Sequence, residues 1–79
     1  MSTVSDDHLI PLYDEQRLWL LRGAMQAAPV YGLRAALTTA HRNITAGQPV
    51  LSIARLPVDD IVIEGDQMLR LWRNLGIVN

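Results

Sequence analysis

Residues 51–64 read LSIARLPVDDIVIE, and this stretch decides whether the chain is helical throughout or contains a β hairpin. The triplet IVI at 61–63, flanked by PVDD and EG, is typical of a short strand that would pair with VLSIARL at 50–56. A turn of 100° per residue from Val58 instead gathers apolar residues on one side of a helix: Ile61, Val62, Gly65, Met68, Leu69, Trp72 and Leu75. We therefore predict a helix over 58–75 and keep the hairpin as the alternative.

The first half of the chain carries signals for two more helices. Asp14 is a suitable N-cap for a helix over 14–28, which Pro29 would end. A second helix is predicted to begin near Pro29, which suits its first turn, and to end at Gly47, which suits the position just beyond its C-terminus. The apolar residues of this second helix form one stripe at three-and-four spacing: Leu33, Ala36, Leu37, Ala40 and Ile44.

A short helix over 49–56, bounded by prolines, completes the predicted elements. The sequence thus predicts an all-α fold, a compact bundle of about four helices with short connections. The last two helices could form a helix-turn-helix. We expect residues 1–8 to be a disordered N-terminal tail and residues 9–79 to be a single helical domain.

Composition bounds the class of protein. The chain has 79 residues, 49% of them apolar and 19% charged, which suits one small folded domain. It contains no cysteine, which excludes disulfide frameworks and thiolate metal sites. No apolar run approaches the ~18 residues of a membrane span, and the polar, acidic start does not resemble a signal peptide. We expect a soluble cytoplasmic protein that does not enter a membrane.

No arrangement of side chains predicts an enzyme. The densest acidic group, which includes Asp60 and Glu64, suits the first turn of a helix and has no histidine within helical reach. His8 falls in the expected tail, and His41 falls on a polar helix face. The glycines are isolated and form no phosphate-binding motif. We therefore expect no catalytic site, no metal and no cofactor.

The charges are distributed unevenly, which raises nucleic-acid binding as an alternative. All eight acids lie within 6–15 and 59–66, so residues 16–58 carry only five charges, all of them arginines. The second helix would present a hydrogen-bonding stripe to phosphates: Arg34, Thr38, His41 and Arg42. Against this, the pI is about 6.0, and Asp59 and Asp60 would begin the recognition helix and repel the DNA backbone. A DNA-binding transcriptional regulator is the alternative function.

The preferred function rests on the predicted first helix, which is apolar nearly all round. Either this helix lies in the middle of the domain, or Trp19 and Leu20 project into a partner's pocket. We expect a small regulatory protein that binds and inhibits or modulates another protein, as an antiactivator, inhibitor or adaptor of bacterial or phage type. A homodimer remains open. The expected contact residues are Trp19, Leu20, Arg34, Arg42 and Trp72, followed by the tail residues Ile77 and Val78.

Overall fold

The chain forms a four-stranded antiparallel sheet with helices on one side, as seen in a computed structural model that describes residues 5–24, 26–58 and 60–78. The strands are β1 (Leu18–Gly23), β2 (Ala27–Tyr31), β3 (Val50–Arg55) and β4 (Val62–Glu64), in the spatial order β2-β1-β3-β4. The helices are α1 (Asp6–Leu9), a 3-10 turn (Ile10–Leu12), α2 (Leu33–Thr45) and α3 (Gly65–Asn74). The fold is therefore α/β, and the prediction of an all-α helical bundle is wrong.

The predicted first helix is replaced by the β1–β2 hairpin. Its residues 18–21, LWLL, form a run of four apolar side chains in β1, which is an inner strand of the sheet. Such a run looks apolar all round on a helix, but it is equally typical of a strand with apolar residues on both faces. Pro29, expected to separate two helices, lies within β2.

The hairpin alternative for residues 51–64 is confirmed. β3 pairs with β4 in antiparallel register, with Ser52 opposite Glu64, Ile53 opposite Ile63 and Ala54 opposite Val62. The predicted helix over 49–56 is wrong, and the predicted helix over 58–75 is wrong in its first half, since α3 begins only at Gly65. With no helix at 49–56, the pair that would have formed a helix-turn-helix does not exist.

The second predicted helix is confirmed as α2, although it begins four residues later than expected. Gly32 precedes the helix with a φ of +88°, a backbone conformation that residues other than glycine rarely adopt. Four residues of the predicted stripe are buried: Leu33, Ala36, Leu37 and Ala40. At the other end, the Gly47 N–H bonds to the Ile44 carbonyl and the Gln48 N–H to the Asn43 carbonyl, and Gly47 has a φ of +87°. This is the glycine-terminated helix end that the sequence predicted.

One core joins the helices to one face of the sheet. Trp19, Leu21, Ile53 and Ile63 project from the strands into a buried cluster. The helical members of the same cluster are Leu9, Leu33, Ala36, Leu37, Ala40, Met68 and Leu71.

The N-terminal segment is tied to this helical layer. Asp6 in α1 accepts hydrogen bonds from Arg70 and Gln67 of α3, at 2.7 and 3.1 Å. Of the residues expected to form a disordered tail, 1–4 lie outside the described residues, whereas residues 6–8 form most of α1. Among the described residues, no helix is long and apolar enough to cross a membrane.

Candidate functional site: the open face of the sheet

The second face of the sheet has no helix packed on it within residues 5–24, 26–58 and 60–78. Side chains alternate along a strand, so Leu20 points away from the face that carries Trp19 and Leu21. The buried apolar side chains of α1, α2 and α3 all join the cluster on the Trp19 side. We call the other side the open face.

The register of the strands arranges the open face in three rows, because residues directly opposite each other in an antiparallel pair share a face. The first row is Tyr31, Leu18 and Leu56, where the Leu56 N–H bonds to the Leu18 carbonyl at 2.9 Å. The second row is Pro29, Leu20, Ala54 and Val62. The third row is Ala27, Arg22, Ser52 and Glu64.

The first two rows, which we call the apolar rows, contain no charged side chain. An antiparallel sheet with one solvated face ordinarily carries polar residues there. Here Tyr31 is 68% exposed and Val62 39%, while Leu18 and Leu20 are half-buried. Ala54 is fully buried because its methyl group lies between the larger Leu20 and Val62. The open face is therefore patterned for contact with another apolar surface.

The third row, which we call the polar row, ends the apolar patch. Arg22 and Glu64 lie on either side of Ser52 in neighbouring strands. Within the described part of the chain, the Glu64 side chain makes no hydrogen bond or ion pair. The open face thus offers an apolar area with a positive and a negative group along one border.

The free edge of β2 is protected against strand addition. The Gly32 N–H bonds to the Arg17 carbonyl and the Gly23 N–H to the Gln26 carbonyl. Because such bonds alternate along an antiparallel pair, the backbone nitrogen of Pro29 faces the outer edge. Proline has no N–H to donate there, which discourages another strand from pairing.

Trp19 and Leu20, the two contact residues expected first from the sequence, lie on opposite faces of the sheet. Leu20 lies in the centre of the open face, whereas Trp19 is 1% exposed and lies in the core. The Trp19 indole N–H has no hydrogen-bond partner among the described residues. Trp19 therefore cannot reach a partner's pocket without unfolding, and it occupies the interior position that was the other interpretation of this segment.

The arginine stripe on α2 lies away from the open face, on the helical layer. Arg34 is bound within the chain, since its Nε is 3.1 Å from Asp14 Oδ1 and its guanidinium carbon lies 5.5 Å from the centre of the Tyr13 ring. The Thr38 hydroxyl donates a hydrogen bond to the Arg34 carbonyl at 2.9 Å. Arg42 is exposed and forms no ion pair with the described residues. Within the stripe, the charge of Arg34 is thus neutralised by Asp14, and the Thr38 hydroxyl already donates its hydrogen bond within α2.

Trp72 and His41 form a contact between α2 and α3. The Trp72 indole N–H donates to the Leu37 carbonyl at 3.0 Å, and the rings of His41 and Trp72 meet edge-on with centres 5.2 Å apart. Ile77 packs against the core, and Val78 is half-buried. Trp72, His41 and Ile77 therefore serve the packing of the helical layer.

A cleft of about 280 Å³ lies between the β1–β2 turn and the α2–β3 connection. Its lining includes the apolar residues Leu21 and Val50 and the amide residues Gln26, Asn43 and Gln48. Among the residues that the structure describes, no group of three histidines or acids could hold a metal ion. The acidic cluster of the sequence is spread out: Asp60 forms an ion pair with Arg55, and Asp59 lies outside the described residues.

Residues 5–24, 26–58 and 60–78 therefore form an open-faced α/β sandwich, in which helices cover one face of the sheet and none of these residues forms a layer on the other. Comparison with known proteins adds no relative to this description: no family model, no curated protein and no solved structure matches the chain.

Proposed function

We propose that this chain is a protein-binding module whose contact surface is the open face. It acts as a small regulator, inhibiting or modulating its partner by covering part of that partner's surface. The observation that supports this proposal is the pair of apolar rows, which present seven uncharged positions across the four strands. Apolar area of this kind, bordered by polar groups, is typical of protein interfaces.

The size of the open face sets the strength of binding. Four strands at a spacing of ~4.8 Å, and two rows at ~7 Å, give the apolar rows an area of roughly 250 Å². At about 25 cal/mol per Å², burial of this area contributes about 6 kcal/mol, which is comparable to the cost of association. The apolar rows alone thus support weak, reversible binding. A tighter complex would also use the polar row and Tyr31.

Tyr31 is the side chain best placed to anchor a partner. It is 68% exposed, it begins the first row, and tyrosine is enriched among residues that dominate binding energy. Leu20 lies at the centre of the patch, and we propose it as a contact residue, in agreement with the expectation from the sequence. The other expected contacts take different roles: Arg34 and Trp72 are held within the domain, and Arg42 lies on the helical layer.

We also propose a cytoplasmic location. The module has no cysteine, and small secreted domains are ordinarily held together by disulfides.

Site-specific photo-crosslinking tests the proposed function. A photoreactive amino acid replaces Tyr31 on the open face in one variant and Arg42 on the helical layer in the other, and both are irradiated in host cells. We expect one defined host protein to be crosslinked at position 31 and not at position 42. The purified partner should then bind the wild-type chain and bind Leu20→Glu at least tenfold more weakly.

Two outcomes would contradict the proposal. Crosslinking of a protein at position 42 alone would place the interface on α2. Crosslinking of nucleic acid at position 42 would favour the DNA-binding alternative; in that case the purified wild-type chain should bind DNA, and added salt should weaken this binding.

A further inference from the structure

We propose that a second copy of this chain is an occupant of the open face, so that two sheets pack face to face in a symmetric dimer. This inference rests on the proposed function, in that it takes the open face to be a binding surface. It adds the identity of one occupant and the geometry of the contact. The two-fold axis runs parallel to the strands, between β1 and β3.

This axis makes the apolar rows self-complementary. Rotation about this axis reverses the order of the strands across the sheet but keeps each row at the same position along the strands. As a result, β1 of one copy lies over β3 of the other. Leu20 then lies over Ala54, a large side chain over a small one, and Leu18 lies over Leu56. At the edges, Pro29 lies over Val62. Alternation of large and small residues across facing positions is what allows two layers to interdigitate at ~10 Å.

The charges of the polar row favour the same axis. With it, the polar rows of the two copies meet each other, and Arg22 comes within one strand spacing, ~4.8 Å sideways, of Glu64 of the second copy. Glu64 has no ion-pair partner in the described part of its own chain, so it is available for this contact. A two-fold axis across the strands would instead set the polar row against the apolar row of Tyr31 and Leu18, burying charge against apolar side chains.

The two edges of the sheet are poorly suited to pairing with a second copy. At the β2 edge, Pro29 removes a donor at the centre of the strand. At the other edge, β4 has only three residues. Pairing of either edge with a second copy would therefore form few hydrogen bonds.

The area of the open face predicts a weak dimer. All three rows cover roughly 400 Å² per copy, about half of the ~800 Å² per partner found in stable complexes. For an interface this small we expect a dimer dissociation constant on the order of 100 µM. The chain should therefore be monomeric at about 1 µM and largely dimeric at several hundred µM. Because the same face would hold any other protein, partner binding and self-association would compete.

Sedimentation equilibrium over this concentration range tests the inference. We expect the wild-type mass to rise from 8.8 kDa towards twice that value. Val62→Glu should stay monomeric at every concentration, because it places a charge in the second row. Ile44→Glu is the matched control, since Ile44 is 40% exposed against 39% for Val62 but lies on α2; it should dimerise like the wild type. Circular dichroism checks that each variant is folded.

A charge exchange tests the geometry without depending on Val62. Arg22→Glu and Glu64→Arg should each weaken the dimer about tenfold, and the double exchange should restore much of it.

A wild-type chain that stays monomeric at about 1 mM would overturn the inference, as would equal loss of the dimer in Val62→Glu and Ile44→Glu. If the chain is monomeric but position 31 still crosslinks a host protein, only the second copy is rejected. If the chain dimerises and no host protein is crosslinked, the regulatory function fails while the dimer stands.

Discussion

Trp19 and Leu20 are adjacent in β1 and serve opposite faces of the sheet: the Trp19 side chain is 1% exposed in the core, and the Leu20 side chain is half-buried on the open face. Because strand side chains alternate, one peptide bond separates the interior of the domain from its proposed contact surface. A strand with apolar residues on both faces needs a cover on each, and the described helices supply only one.

This relationship predicts different effects for the two alanine variants. Trp19→Ala removes a fully buried ring and should lower the free energy of unfolding by about 3–5 kcal/mol, much of the total for a domain this small. Leu20→Ala should lower it by about 1 kcal/mol and weaken dimerisation instead. Urea denaturation followed by circular dichroism measures the first effect and sedimentation the second. Equal destabilisation by both variants would argue that the open face is covered in the free chain.

The hydrogen bond from Trp72 to the Leu37 carbonyl predicts a modest effect on stability. Trp72→Phe keeps an aromatic ring against His41 but loses the indole N–H, so we expect a decrease of about 1–2 kcal/mol in the free energy of unfolding. His41→Ala should cost less, because it removes only the edge-on ring contact. Urea denaturation compares the two variants, and a Trp72→Phe variant as stable as the wild type would show that this bond does not hold α2 to α3.

Asp6 predicts part of the acid sensitivity of the fold. The hydrogen bond from Arg70, aided by that from Gln67 and the Arg70 charge, holds the pKa of Asp6 below its ordinary value, against the opposing effect of burial. A carboxylate with a lowered pKa stabilises the fold above its unfolded pKa of about 4, and this contribution is lost as the pH falls through the folded pKa. Asp6→Asn should therefore be less stable than the wild type at pH 6, with the difference shrinking below about pH 4.

The neighbouring Asp7 supplies the control for that measurement. Asp7 is exposed, and its side chain makes no hydrogen bond or ion pair with the described residues. Thermal denaturation from pH 2.5 to 7 should show the pH-dependent difference for Asp6→Asn, and Asp7→Asn controls for the loss of a charge from the same helix. A difference between Asp6→Asn and the wild type that is the same at every pH would contradict the assigned role of the Asp6 charge.

Tyr13 predicts a loss of stability at alkaline pH. Burial of the ring and the Asp6 charge raise the pKa of the Tyr13 hydroxyl, and Arg34 opposes them; the hydroxyl also donates to Asn74 Oδ1 at 3.1 Å. A raised pKa means that this contribution to stability is complete below the unfolded pKa of about 10 and is lost as the pH rises through the folded value. Absorbance at the phenolate band should show a late-titrating step in the wild type that is missing in Tyr13→Phe. A Tyr13→Phe variant with the same late step would exclude Tyr13 as its source.

Local sequence was sufficient for two helices. The stripe from Leu33 to Ala40 has helical spacing over two turns, and Gly47 ends α2 as expected, because both signals depend only on neighbours a few residues away. In the last third of the chain, Met68 and Leu71 are three residues apart and both are buried in α3, where a helix was predicted. The hydrogen bonds of a helix join residues within one turn, so the sequence there contains its own partners.

The strands and the open face required the tertiary structure. The run LWLL at 18–21 and the triplet IVI at 61–63 are each compatible with a helix or a strand, and the residues that decide between them are distant in the chain: Leu20 is opposite Ala54, and Ile63 is opposite Ile53. Strand hydrogen bonds have no partner inside their own segment, so a short apolar run does not reveal its pairing. The sequence did not show which side of the sheet α2 covers, and this side determines whether Trp19 or Leu20 contacts the helices. It also determines which residues are left to contact a partner.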